Sequence, residues 1–205
     1  MGIYAERVFP RIIDVACNTK RQTPIRQRVC AGLSGEVLEI GFGTGLNLPH
    51  LPAAVTRVFA VDPMQRGREL AADRLAASPV DVQFVGADGE SIALDNDSAD
   101  VALSTWTLCT IPDPVAALHE VARVLRPGGT LRFAEHGASP DAATRTWQER
   151  LNPIQRKVAC GCNLNRQIDE IVVAAGFEFH ELDTFYAPGE PKFVGWTFVG
   201  VAAPG

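Results

Sequence analysis

Three glycines at alternate positions, Gly41, Gly43 and Gly45, follow a short apolar run at residues 37–40. The run predicts a buried strand, and the glycines predict a tight turn in which a ligand can lie against the backbone. A dinucleotide fingerprint would need its last glycine at position 46, which is Leu46. Glu39 precedes the turn, and a carboxylate there disfavours a pyrophosphate and favours a cation. The turn predicts a site for a cationic ligand, with a purely structural turn as the alternative.

Two further acidic residues follow apolar runs. Asp62 ends the run at residues 55–61, and Asp88 follows the run at residues 80–85. An acid at the first of these places can accept hydrogen bonds from both hydroxyls of a ribose. The alternative is that Asp62 caps a helix that begins at Pro63. The second carboxylate can accept from an adenine amino group, or it can be a solvated turn residue.

The strands and helices must position these groups. Apolar runs predict further strands at residues 100–104 and 130–134, and helical spacing predicts helices over 64–77 and from Asp113 to about residue 125. This order gives five successive βα units, which predict a parallel sheet with helices on both faces. A ligand in such a sheet binds at the carboxyl ends of the strands, where all of these residues fall.

Sulfur and imidazole groups fall at the same edge. His136 follows the fifth strand and is the candidate general base, with ordering of the next segment as its alternative role. Cys109 follows the fourth strand and is expected to be an apolar wall residue rather than a nucleophile. Cys160 and Cys162 lack the spacing and the histidine partners of a zinc motif, so no metal is expected.

Composition restricts the possible partners. The chain has 205 residues, a net charge of −5 and five cysteines. We expect one domain, residues 1–205, without a nucleic-acid partner. No run approaches the roughly 18 apolar residues of a membrane span, and the cysteines without a leader peptide indicate a reducing cytoplasm. Residues 4–18 predict an amphipathic helix, and the basic residues between 20 and 28 predict a solvated face.

The motifs resemble a known family. Residues 39–45, 61–62, 87–90, 100–112 and 124–129 resemble the methyltransferase type 11 group of class I S-adenosylmethionine-dependent methyltransferases. Residues 135–136, 147–148, 151–153 and 161–166 resemble the alkyl-thiol methyltransferase-like family. Vertebrate members of that family are anchored on microsomal membranes. No apolar anchor precedes the domain here, so we expect no integral membrane segment, although peripheral membrane contact stays open.

The resemblance implies a doubly wound, seven-stranded, mostly parallel α/β sheet, with late strands at residues 177–184 and 192–201 and the last one antiparallel. Residues 1–30 would form a helical lid, and residues 137–166 a cap inserted after strand five. S-adenosylmethionine is the implied cofactor and His136 the implied catalytic residue. The expected cofactor-binding residues are Glu39, Gly41, Phe42, Gly43, Gly45, Asn47, Asp62, Pro63, Met64, Asp88, Gly89, Thr105, Trp106 and Cys109. Tyr4, Trp147 and Asn163 are the expected contacts of the substrate.

The implied function is methyl transfer to a small-molecule acceptor, a thiol first of all, by a monomer or homodimer. N- or O-methylation of a phospholipid amine or a quinone is the alternative within the enzyme class. A cofactor-binding module without turnover is the alternative outside it. A nicotinamide dehydrogenase is disfavoured by Leu46 and Glu39.

Overall fold

The computed structural model describes residues 4–205, in which seven strands form one sheet of order β3-β2-β1-β4-β5-β7-β6. The strands are β1 (Gly35–Ile40), β2 (Val55–Val61), β3 (Asp81–Gly86), β4 (Ala99–Thr105), β5 (Leu125–His136), β6 (Phe177–Tyr186) and β7 (Trp196–Pro204). β1 to β5 run parallel to one another, and β7 is antiparallel to both β5 and β6. The predicted sheet, with its antiparallel last strand, is confirmed.

Eight helices accompany the sheet in the described chain. They are α1 (Phe9–Cys17), α2 (Thr23–Cys30), α3 (Gln65–Leu70), α4 (Ala72–Ala77), α5 (Pro114–Val124), α6 (Ala142–Val158), α7 (Ile168–Ala174) and α8 (Lys192–Gly195). A π-helical turn at Tyr4–Val8 leads into α1, and a 3-10 turn spans Leu48–His50. None of the helices between residues 4 and 205 combines the length and the apolar character needed to cross a bilayer.

The two faces of the sheet bury separate apolar clusters. One contains Leu118 and Val121 of α5 together with Ile168 and Val172 of α7. The other contains residues of α2 and the segments that follow β1 and β2, including Ile25, Val29, Phe42 and Ala71. The strands between them are buried on both sides, which is why β1, β2 and β4 read as nearly continuous apolar runs.

One predicted βα unit is absent from the described chain. The connection from β3 to β4 contains turns and no helix. Arg123 on α5 replaces the missing helical hydrogen bonds, because it donates to the carbonyl oxygens of Ile92 and Leu94 at 2.9 and 2.8 Å. A loop held in this way satisfies its backbone and still buries Ile92 against the sheet.

Two helix predictions and the start of one strand need correction. The helix predicted at 64–77 is interrupted at Ala71 and begins after Met64, so Asp62 and Pro63 are not its cap and first residue. The apolar side of the N-terminal helix is exposed rather than packed, with Val15 at 75% exposure. The last strand begins at Trp196 rather than at residue 192, because α8 occupies the intervening turn.

The Val-Leu-Arg-Pro-Gly-Gly segment lies at the amino edge of the sheet, away from the predicted site. Arg126 donates to Asp100 (2.6 Å) at the start of β4 and to Glu36 (2.7 Å) on β1. A Cβ on Gly129 would lie 2.9 Å from the carbonyl oxygen of Arg126 and 3.0 Å from that of Asp100. This family-specific motif therefore ties neighbouring strands together.

Gly67 in α3 provides a test of how tightly the glycine turn is packed. A Cβ at this position would lie 2.6 Å from the carbonyl oxygen of Gly43. Alanine is the better helix former by about 1 kcal/mol. We nevertheless expect Gly67→Ala to lower the free energy of unfolding by about 1–3 kcal/mol, because the backbone of the glycine turn at Gly43 must move to make room for the Cβ. Urea unfolding measures the change.

The matched control is Gly86→Ala, since a Cβ there meets nothing within 4 Å. A free energy of unfolding that is unchanged or raised in Gly67→Ala would show that the backbone of the turn moves at little energetic cost.

Candidate active site

The side chain of Asn47 joins three elements at the carboxyl edge of the sheet. Its amide nitrogen donates to Oε1 of Glu39 at the end of β1 (2.7 Å) and to Oγ1 of Thr105 at the end of β4 (3.0 Å). Its amide oxygen accepts from Nη1 of Arg26 on α2 (2.6 Å). All four side chains are buried, so Asn47 fixes the relative positions of α2, β1 and β4.

Glu39 retains unused hydrogen-bonding capacity in this network. Its Oε2 atom is buried and has no hydrogen-bond partner among the described residues. Burial raises the pKa of this carboxyl to about 7, although the hydrogen bond from Asn47 and the charge of Arg26 act in the opposite direction. An unpaired buried oxygen is costly, and a cation or hydrogen-bond donor placed beside it would offset the cost.

The glycine turn leaves space for a ligand beside Glu39. Gly41, Gly43 and Gly45 all have positive φ, at 75°, 57° and 72°. A Cβ on Gly43 would approach nothing closer than the carbonyl oxygen of Gly41, at 3.9 Å. The three glycines therefore have left-handed backbone conformations, and the turn is open to a ligand at Gly43, as the spacing of the glycines predicts.

Asp62 supports the same turn from the end of β2. Its two carboxylate oxygens accept from the backbone N–H groups of Gly43 and Met64, each at 2.7 Å. Burial raises the pKa of Asp62, while these two hydrogen bonds lower it. The carboxylate is therefore held at the rim of the crevice with lone pairs still available for a ligand.

Arg26 is a residue of this site that the sequence alone does not identify. It lies in the basic segment predicted to be solvated, yet it is only 6% exposed. Its guanidinium carbon lies 4.7 Å from the centroid of the Trp106 ring, and burial lowers its pKa. Trp106 has φ of 51°, an uncommon value for a non-glycine residue, and such backbone strain is often found at functional sites.

The N-terminal segment contacts both the glycine turn and α6. Asp14 on α1 accepts from Oγ1 of Thr44 in the glycine turn (2.6 Å) and from Arg74 on α4 (2.9 Å). The hydroxyl of Tyr4 donates to the carbonyl oxygen of Val158 at the end of α6 (2.7 Å). The described part of the predicted lid therefore spans from the turn to the predicted cap; residues 1–3 lie outside the described residues.

Sulfur and imidazole groups meet on the other side of the crevice. Nε2 of His136 lies 3.2 Å from Sγ of Cys162, and that sulfur lies 3.7 Å from Sγ of Cys109. Burial alone would lower the pKa of His136, but its contact with Cys162 and the charge of Glu135 raise it. The pKa of Cys162 is raised by its hydrogen bond to Cys109 and by burial.

Glu135 positions the loop that carries Cys109. It is fully buried, and its Oε1 accepts from Oγ of Ser104 (2.7 Å) and from the backbone N–H of Thr107 (2.9 Å). Burial raises the pKa of this carboxyl, and these hydrogen bonds act against that shift. Glu135 is thus a positioning residue that holds the loop after β4 against the end of β5.

Four predicted site residues differ in how far they are buried. The ring of Phe42 is in the core, 5.1 Å from the ring of Phe84 in an edge-on contact, so only its backbone borders the turn. Asp88 is exposed and accepts from the N–H of Glu90 (2.9 Å). Gly89, which follows Asp88, is half-buried, and Pro63 is exposed.

The predicted substrate contacts also differ from one another in position. Trp147 is 57% exposed and lines an outer cavity of about 360 Å³ with Lys192 and Phe193. Asn163 donates through its side-chain amide to the carbonyl oxygens of Cys109 (3.0 Å) and Gly161 (2.8 Å), so it joins two loops. An apolar residue at helical spacing identifies a helix face, but it does not identify what that face covers.

Comparison with known proteins agrees with this geometry. Residues 38–133 match the family model described as "Methyltransferase domain". The chain is 34% identical over 158 residues to thiol S-methyltransferase TMT1B of Rattus norvegicus, covering 74% of this chain and 64% of that protein. It is 34% identical over 164 residues to thiol S-methyltransferase TMT1A of Homo sapiens, covering 77% and 67%. The chain thus spans about two thirds of the length of these relatives.

The fold has a counterpart in a solved structure, the complex between the Haloferax volcanii Trm112 methyltransferase activator and a methyltransferase. The match has a TM-score of 0.73 at 20% identity and covers 98% of this chain and 96% of that one. This likeness concerns the fold, and the fold and family together imply S-adenosylmethionine as the methyl donor. The chain belongs to the class I S-adenosylmethionine-dependent methyltransferases and stands close to the alkyl-thiol methyltransferase family.

Proposed function

We propose that this methyltransferase transfers the methyl group of S-adenosylmethionine to a thiol. The observation that carries the proposal is the composition of the crevice. One side offers an open glycine turn and the unpaired carboxylate oxygen of Glu39, and the other offers the cluster of Cys109, His136 and Cys162. The first side suits a cationic donor, and the second suits a soft acceptor. The names of the relatives TMT1A and TMT1B support the same acceptor class.

The residues of the first side fit the cofactor. The buried Oε2 of Glu39 can face the positive charge of the donor, and the open side of Gly43 can receive its amino acid portion. Arg26, whose guanidinium is buried in the same network, is a partner for the carboxylate of the donor. Asp62 would accept from the ribose hydroxyls through its remaining lone pairs.

The remaining cofactor contacts in the proposal come from the other strand ends. Asp88 and Gly89 would border the adenine. Thr105, Trp106 and Cys109 would border the sulfonium, because they follow β4, which lies next to β1 in the sheet. Asn47 would act through Glu39 and Arg26, whose positions it sets.

The reaction needs alignment more than it needs covalent chemistry. The acceptor sulfur must approach the methyl carbon to about 3–3.5 Å in line with the bond that breaks. A carbon–sulfur bond to the acceptor forms as the bond to the sulfonium breaks, and S-adenosylhomocysteine leaves as a neutral thioether. A free thiol has a pKa of about 8.5, so the acceptor must lose a proton first. We assign promotion of that deprotonation to His136.

Proton release on cofactor binding tests the role of Glu39. Because its pKa is about 7 in the free protein, this carboxyl is mostly protonated at about pH 6.5. A cationic ligand favours the carboxylate, so binding should release up to about one proton there, and affinity should rise with pH up to about pH 8. Calorimetry in two buffers of different ionisation enthalpy measures the release.

Glu39→Gln should abolish both effects. Glu36→Gln is the matched control on the same strand, because Glu36 pairs with Arg57 and Arg126 at the opposite edge. Proton uptake, or a release that persists in Glu39→Gln, would contradict the assignment.

An acceptor screen tests the function itself. Isotopically labelled S-adenosylmethionine would be incubated with alkyl thiols, aryl thiols, amines, phenols and detergent-dispersed quinones or phosphatidylethanolamine. We expect label in the thioethers, because the acceptor side of the crevice carries two thiols and an imidazole. The carboxylate of Glu135 lies behind them and holds the loop after β4 through Oε1. Transfer confined to the amines, quinones or lipid would replace the thiol proposal with its alternative.

The acidity of the acceptor tests the role of His136. If this residue promotes deprotonation, His136→Ala should lower turnover of an alkyl thiol by about 10²–10⁴-fold. The same substitution should lower turnover of an aryl thiol much less, because that thiol is already ionised at neutral pH. Equal losses for the two acceptors would assign His136 to the structure of the loop instead.

A further inference from the structure

The group formed by Cys109, His136 and Cys162 has the composition of a metal site. Its three potential ligand atoms all lie within 4.8 Å of one another. Within residues 4–205, no other group of three or more His, Cys, Asp or Glu side chains brings its ligand atoms this close. The three residues come from the loop after β4, the end of β5 and the segment after α6, so only the fold assembles them.

Two of the distances within the group are close to those of tetrahedral zinc. Zinc–sulfur bonds of about 2.3 Å at the tetrahedral angle place two thiolates about 3.8 Å apart, and the two sulfurs here are 3.7 Å apart. A zinc–nitrogen bond of about 2.0 Å places the nitrogen about 3.5 Å from each sulfur. The distance from Nε2 of His136 to Sγ of Cys162 is 3.2 Å, so a shift of a few tenths of an ångström suffices.

The surrounding loops hold the three side chains in place. The backbone N–H and side-chain amide of Asn163 both donate to the carbonyl oxygen of Cys109, at 2.8 and 3.0 Å. Arg166 donates to the carbonyl oxygens of Leu108 and Ile111 in the same loop. These bonds fix the sulfur-bearing segments against each other, and the guanidinium of Arg166 brings a positive charge toward both sulfurs.

The imidazole has an unsatisfied atom. His136 is 9% exposed, and its Nδ1 is buried without a hydrogen-bond partner in the described chain. Buried polar atoms are normally paired, and the contact of Nε2 with the sulfur of Cys162 is compatible with either tautomer of this ring. Coordination would select it, because a metal ion takes the lone pair of one nitrogen and leaves the proton on the other.

We propose that Cys109, His136 and Cys162 bind one zinc ion whose fourth position receives the acceptor thiol. The inference rests on the proposed function and specifies how His136 promotes deprotonation, namely as a ligand. Three protein ligands and an open fourth position are the arrangement of catalytic zinc. The acceptor thiol releases its proton to solvent on coordination, because a metal-bound thiol is deprotonated. Its sulfur then attacks the methyl carbon of the donor, and the resulting thioether is a weaker ligand and leaves.

Cobalt substitution tests the site directly. The 205-residue chain, reduced with a phosphine and stripped with a chelator, would be titrated with Co²⁺. We expect one equivalent to produce thiolate-to-cobalt charge-transfer bands and the visible bands of tetrahedral cobalt, and Zn²⁺ to displace it. Cys109→Ser and Cys162→Ser should each weaken Co²⁺ binding by at least about tenfold.

Cys160→Ser is the matched control. This thiol is two residues from Cys162 and outside the group of three ligands, so the variant should bind Co²⁺ like the natural chain. Circular dichroism would establish that each variant is folded. A spectrum that lacks tetrahedral bands, or that Cys109→Ser and Cys162→Ser leave unchanged, would overturn the site.

A second measurement separates this inference from the proposed function. X-ray absorption of the zinc-loaded protein should show two sulfur ligands, and three after an alkyl thiol is added. Methylation of thiols that continues at full rate in the metal-free protein would overturn the zinc inference and leave the thiol proposal standing. A third sulfur ligand without transfer of the methyl group would support the zinc site and count against the proposed reaction.

Discussion

The hydrogen bonds of one buried amide hold this site together. Asn47 contacts Glu39, Thr105 and Arg26, which belong to β1, β4 and α2. β4 is far from the other two elements in sequence, and two of the contacting groups carry charge that burial would otherwise destabilise. An amide can donate to the carboxylate and accept from the guanidinium at the same time, which neither charged group could do for itself. The positions of Glu39 and of the glycine turn that follows it depend on this arrangement.

The crevice is divided between two kinds of chemistry by the order of the strands. β1 and β2 carry the glycine turn with Glu39 and Asp62, whose oxygens are hard acceptors suited to cationic and hydroxyl groups. β4 and β5 lead into Cys109 and His136, and the segment after α6 adds Cys162, so two thiols and an imidazole lie beside one another. Since β1 lies beside β4 in the sheet, the two regions adjoin. A donor bound on one side would present its methyl group to an acceptor on the other.

The segment at residues 4–17 links the glycine turn to the helix that precedes Cys162. The segment Tyr4–Cys17 bonds to the glycine turn through Asp14 and to α6 through Tyr4, and α6 leads into the loop that carries Cys162. Exclusion of water strengthens electrostatic interactions in such a site and protects a reactive thiolate. Ile12 and Val15 on α1 are exposed.

The sequence by itself determined the sheet, the turn and the family. Apolar runs bounded by glycine and proline place β1, β2, β4 and β5 within a few residues, because a strand buried on both faces leaves a local signal. Asp113 caps α5 as its sequence predicts, accepting from the N–H groups of Val115 and Ala116. Gly41, Gly43 and Gly45 adopt the positive φ values that their spacing indicates. These features depend on neighbours along the chain.

Only the tertiary structure decided which distant side chains meet. Arg26 reads as a surface residue because its local sequence is basic, and it is buried because Asn47 and Trp106 supply its partners from other elements. Cys162 has no metal-site spacing with Cys160, yet the fold brings it to Cys109 and His136. Trp147 has the spacing of a cap residue but lines an outer cavity, because Gln148 takes the inward position on α6. Contacts between elements far apart in the chain leave no periodic signal in a single sequence, so they become visible only once the sheet order and the crossing of the loops are known.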